Sequence, residues 1–96
     1  MKEHLVYWSS LAEETYLNIL QFIIQKWSVK EAEEFDQKVE NLISKLKHHK
    51  DLCPPSKSHR KLRKCVITYQ TSLIYQFHNN SIEIITFIDN RSNQDY

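Results

Sequence analysis

The stretch from Arg60 to Arg91 constrains the chain more than any other. It reads R-K-L-R-K-C-V-I-T-Y-Q-T-S-L-I-Y-Q-F-H-N-N-S-I-E-I-I-T-F-I-D-N-R, three runs rich in Ile, Val, Tyr, Phe and Thr. Short polar breaks at Gln70-Thr71 and Asn79-Asn80 part the runs. β-Branched and aromatic residues in runs of this length, bounded by polar pairs, predict a β-meander. Cys65, Ile67 and Tyr69 alternate with Val66 and Thr68; Leu73, Tyr75 and Phe77 alternate with Ile74, Gln76 and His78. In the last run Ile82, Ile84 and Ile88 fall on one face and Ile85 and Phe87 on the other. Apolar residues on both faces place that strand centrally, or bury its second face under a partner. The chain contains no glycine. Asn79-Asn80 must therefore supply any positive φ of a tight hairpin, and a glycine-rich phosphate loop is excluded.

The preceding residues read as what is needed to cover such a sheet. Leu5, Val6, Tyr7 and Trp8 form a short strand candidate. Ser10-Leu-Ala-Glu13 has the spacing of a capping box, and Ala12, Tyr16, Ile19, Leu20, Ile23 and Trp27 then recur at helical spacing. Trp27 is expected in the core, where its truncation would leave a large cavity. Ser28-Val-Lys-Glu31 is a second capping box, with Trp27 and Ala32 placed as a hydrophobic staple. Its stripe is Ala32, Phe35, Val39, Leu42, Ile43 and Leu46. The short connection predicts an antiparallel helix hairpin. Pro54-Pro55 then forces a loop from Asp51 to about His59. The expected fold class is α+β in the order β-α-α-β-β-β. An N-terminal strand and a helix hairpin pack on one face of a small antiparallel sheet, in a single domain over residues 1–96.

The net charge is only +1, but it is unevenly spread. Residues 1–44 hold four lysines against eight acids, a balance of −4. Residues 45–64 hold eight Lys/Arg against Asp51 alone, a balance of +7. A basic patch inside a near-neutral chain points to an anionic target. Cys53 and Cys65 make no disulfide framework and no zinc spacing, and are expected as free thiols in a reducing cytoplasm. His48, His49, Cys53 and His59 match no closed metal pattern, so no metal and no cofactor are expected. No secretory h-region follows Met1, and no apolar run reaches the length of a membrane span.

In this order and spacing the pieces resemble the RelE/ParE superfamily of toxins from bacterial type II toxin–antitoxin modules. The resemblance is carried by Trp8-Ser9 with Ala12, by Ile19, Ile23 and Trp27, and by Ala32, Phe35, Val39 and Ile43-x-x-Leu46. It continues through Arg63-Lys64-Cys65-Val66, Ser72-Leu73-x-Tyr75 and Ile82-x-Ile84 to Asp89-Asn90-Arg91. The ending Ile88-Asp89-Asn90-Arg91-x-Asn93 resembles the ParE-like branch in particular. The resemblance implies a cognate antitoxin as partner, with a C-terminal antitoxin segment wrapped around the helices and sheet. It also implies one of two targets. ParE-like members poison DNA gyrase without an enzymatic activity of their own, whereas RelE-like members cut mRNA in the ribosomal A site.

Metal-free RNA cleavage needs a base, an acid and cations at the phosphorus. Arg60, Lys61, Arg63, Lys64 and Arg91 supply cations, and His78 and Tyr96 are the candidates for proton transfer. Arg91 matches the superfamily's arginine after the last strand, and Arg63-Lys64 its basic strand entrance. The same cations serve the ParE-like branch as target-binding residues. Arg91 also has a plain structural use, pairing with Asp89. The chain lacks a Glu-Arg-His set at nuclease-like positions and the lysine-dense sheet of the RelE nucleases, so the gyrase-binding reading is favoured.

Overall fold

The computed structural model describes residues 3–91 and 96. β1 (Leu5–Trp8) leads into α1 (Ser10–Lys26) and α2 (Val29–Leu46); β2 (Arg63–Val66), β3 (Thr71–His78) and β4 (Ser81–Asp89) complete the chain. The strands form one sheet in the order β1-β4-β3-β2. β2, β3 and β4 are the antiparallel meander, and β4 is indeed central. β1 joins it in parallel, pairing Leu5–Trp8 with Ser81–Ile84, so the sheet is mixed. A parallel partner needs a long crossover, and here the helix hairpin and two strands intervene.

Both helices start at a serine. The Ser28 hydroxyl accepts from Glu31 N at 3.1 Å, as its capping box predicts. At α1 the cap is Ser9, not Ser10: its hydroxyl accepts from Ala12 N at 2.9 Å and donates to Ile85 O at 2.6 Å. Ser9 N also donates to Ile84 O, and Thr15 Oγ1 accepts from Phe87 N at 3.1 Å. The edge of β4 beyond the short β1 is thus closed by the start of α1, which meets the need of buried backbone groups for partners.

The core lies between the helices and one sheet face. Trp8, Tyr16 and Phe87 form an aromatic triangle with ring centroids 5.0–5.3 Å apart, and Phe35 of α2 stacks on Tyr16 at 6.1 Å. Tyr16 donates its hydroxyl to Asp36, joining α1 to α2. Ile82, Ile84 and Phe87 all enter this core. Strict alternation would put Ile84 and Phe87 on opposite faces. The pairing shifts instead, with Ile74 opposite Thr86 and Tyr75 opposite Ile84, so Ile85 is an extra residue in β4. This bulge swaps the faces after Ile85, and Ile88 is buried outside the main cluster. The tight hairpin uses Asn79 at φ 52° and Asn80 at φ 59°, with His78 paired to Ser81. One expected core residue is absent from it. Trp27 closes α1 with 56% of its surface exposed.

Candidate functional site

Two surfaces gather the residues singled out from the sequence. The first is the connection between α2 and β2, which is a compact hairpin rather than a loose loop. Cys53 and Cys65 are disulfide-bonded across its base, with Cα atoms 5.3 Å apart. The expectation of free thiols is therefore corrected. The two cysteines face each other only because the chain doubles back between them, which spacing does not reveal. With both in one bond, cysteine usage no longer points to a reducing compartment. Above the disulfide, Lys64 N donates to Pro54 O, Pro55 bridges to Arg63, and Ser56 N donates to Leu62 O at 2.8 Å. The buried Ser56 hydroxyl accepts from the backbone of Ser58 and His59, and Leu62 N closes the turn on His59 O.

Arg63 anchors this hairpin from below. Its Nη1 donates to Cys53 O at 2.6 Å and its Nη2 pairs with Asp51 at 3.2 Å. The buried Tyr75 hydroxyl donates to Lys50 O at 2.8 Å and accepts from Cys53 N, and burial raises its pKa. Arg63 is thus a clamp with a side chain 27% exposed. Lys64 lies opposite Ile74 and, by alternation from the core residue Cys65, on the sheet face away from the helices. Arg60 and Lys61 stand exposed at the tip.

The second surface is a groove of about 500 Å³ between the turn end of the helix hairpin and the C-terminal end of β4. Phe22 of α1, Trp27 at its C-cap, Lys38 of α2, Tyr69, Asp89 and Arg91 contribute to it. Tyr69 is 81% exposed and Phe22 46%, and Lys26 Nζ sits 5.6 Å from the Phe22 ring centroid and 5.8 Å from that of Trp27. This rim was hidden in the sequence. Phe22 lies off the buried stripe, which was the only available signal. Arg91 is bound to Asp89 through Nε (3.1 Å), Nη2 (3.0 Å) and its backbone N (2.8 Å). The Arg91 side-chain hydrogen bonds, then its backbone N–H, hold the Asp89 carboxyl below its ordinary value, and Asp89 raises Arg91 in turn.

The candidates for RNA cleavage do not converge. His78 and Arg91 stand at opposite ends of β3, separated by roughly 23 Å of strand. Tyr96 packs its ring against His59, 5.8 Å away, on the basic hairpin. Arg63 is committed to Cys53 and Asp51. Among the described residues no cluster of three or more His, Cys, Asp or Glu is arranged to hold a metal, and Cys53 is taken by the disulfide. No helix among them is long and apolar enough to cross a membrane.

Residues 6–94 match the family profile described as the ParE toxin of the type II toxin–antitoxin system parDE. The chain belongs to the ParE toxin family. None of the curated proteins compared matches the sequence. Among solved structures, a chain of the chromosomal ParDE toxin–antitoxin system from P. aeruginosa superposes with a TM-score of 0.77. That similarity covers 91% of this chain and 96% of the other at 11% identity, so it speaks for the ParE fold alone.

Proposed function

We propose that this ParE-family chain is a growth-inhibiting toxin that binds DNA gyrase in the cytoplasm by protein contact and is neutralised by a cognate antitoxin. The family match over residues 6–94 carries the proposal. The wide separation of His78 from Arg91, and the commitment of Arg63 to the hairpin, favour binding over ribosome-dependent mRNA cleavage. Arg60, Lys61, Lys64 and Arg91 are the target-contacting cations in this reading, with Arg63 holding the basic hairpin in place. The antitoxin segment covers the aromatic groove. Phe22, Trp27 and Tyr69 at one rim exceed what isolated exposed hydrophobics would require.

Purified chain is to be tested in a gyrase supercoiling assay and, in parallel, in mRNA cleavage on programmed ribosomes. Inhibition of supercoiling that is relieved by the antitoxin, with mRNA intact, is the expected outcome. Supercoiling that persists at large toxin excess sinks the gyrase reading, and cut mRNA replaces it with the nuclease one.

A further inference from the structure

The hairpin between α2 and β2 is built more firmly than a connection requires. A disulfide, the Pro55–Arg63 bridge, the Ser56 N–Leu62 O bond and the Arg63 clamp on Cys53 O fix residues 53–65 along their length. What this rigid stem presents is charge. Residues 52–64 contain Lys57, Arg60, Lys61, Arg63 and Lys64 and no acid. Asp51, the acid just before them, is engaged by Arg63 and Lys50. Lys57, Arg60 and Lys61 are exposed at the tip, and among the described residues no carboxylate pairs with them.

From this we infer that the tip is a phosphate-contacting finger for duplex DNA. Three cations within five residues attract a polyanion, and holding them on a stapled stem removes much of the ordering entropy that binding would otherwise lose. The choice of duplex over single strand follows from what the tip lacks. Single-strand binding relies on aromatic platforms for unstacked bases. The tip, Lys57-Ser58-His59-Arg60-Lys61, carries one ring, and that ring packs against Tyr96. It can neutralise backbone phosphates but offers only this one histidine–tyrosine pair, not a series of stacking platforms, and no apolar wedge, which makes contact sequence-independent. The inference deepens the gyrase reading, on which its biological setting rests: Arg60 and Lys61 would reach the target through the DNA that the enzyme holds, while Lys64, Arg91 and other surfaces touch the enzyme.

Fluorescence anisotropy of a short labelled duplex, with the purified protein and no gyrase, tests it. Three phosphate contacts predict a log–log salt slope of about −2.7, a loss of affinity of about 40-fold between roughly 50 and 200 mM salt. The triple variant Lys57→Ala/Arg60→Ala/Lys61→Ala removes most of that binding and flattens the slope. A control variant, Lys30→Ala, an exposed lysine at the start of α2, leaves both unchanged. All three tip residues are exposed, so a circular-dichroism melt matching the wild type confirms that the triple variant folds. Salt-insensitive binding, equal binding by the triple variant, or tighter binding to single-stranded RNA of the same length overturns the inference. Loss of DNA binding with gyrase inhibition retained rejects the finger alone. DNA binding by a protein that leaves supercoiling untouched rejects the gyrase reading instead.

Discussion

Tyr16 joins the two helices through a hydroxyl that is both buried and bonded to a carboxylate. Burial first, and then the hydrogen bond and charge of Asp36 with that of Glu40, raise its pKa far above the usual value. The native state therefore keeps this proton well past pH 10, where an unfolded tyrosine gives it up. Stability from this group is constant below about pH 10 and falls above it, by about 1.4 kcal/mol per pH unit for one proton. Tyr75, also raised by burial, adds to the same alkaline loss. Tyr16→Phe should remove roughly one proton's share of that slope in urea melts between pH 10 and 11.5, while lowering stability at pH 7 through the lost bond. An unchanged alkaline slope would show that Tyr16 titrates normally. A second residue-scale expectation concerns Asn80, held at φ 59°. A β-branched residue is strained there, so Asn80→Val should lower stability by about 1–2 kcal/mol in chemical denaturation, whereas Asn80→Gly should not. These asparagines were legible because a chain without glycine leaves few residues for such a turn. Ser9 was not legible against Ser10. Two adjacent serines satisfy the local pattern, and the bond from Ser9 to Ile85 O, far away in sequence, decides between them.

At the scale of elements, both helices, the loop after α2 and the three-stranded meander follow from local periodicity, capping and turn chemistry. What periodicity missed needed a partner from elsewhere. β1 pairs in parallel with a strand at the other end of the chain, and the Ile85 bulge exists only as a mismatch between β4 and β3. Trp27 sits at helical spacing with the core stripe, yet α1 ends there and its ring lines the open groove instead of the core. The basic hairpin was read as a loop for the same reason, since neither the disulfide nor the Arg63–Cys53 contact has a local signature. Its staple closes a segment of sequence separation 12, for which chain entropy gives about 3 kcal/mol. Reduction should accordingly lower Tm by roughly 10–20 °C for a domain of this size, measured with and without a strong dithiol reductant. If the melt does not move, Arg63 and Tyr75 hold the segment without help from the disulfide.

Across the whole molecule, charge and apolar surface are segregated. The N-terminal part, mostly the helices, is acidic, the stapled hairpin is basic, and the aromatic groove opens beside the end of β4. The family was legible in the sequence because it lies in the order of elements and in residues spread from Trp8 to Arg91. The candidate site was legible only as charge. Arg63 proved to be an anchor, Arg91 is paired with Asp89, and the groove is built by side chains from four separate segments. Trp27 separates folding from recognition. With 56% of its surface open, its truncation creates no sealed cavity, and Trp27→Ala should shift the unfolding free energy by less than about 1 kcal/mol. If the antitoxin covers the groove, the same change removes a large apolar contact from that interface. At about 25 cal/mol per Å², covering the open part of an indole contributes about 3 kcal/mol, or about 100-fold in Kd. Titration of the toxin with its antitoxin by calorimetry should therefore show a Kd weakened about 100-fold for Trp27→Ala at nearly unchanged Tm, and co-expression should no longer rescue growth at antitoxin levels that protect against the wild type. Antitoxin affinity that survives the substitution would move the antitoxin off this groove, and a collapse of Tm would return Trp27 to the core.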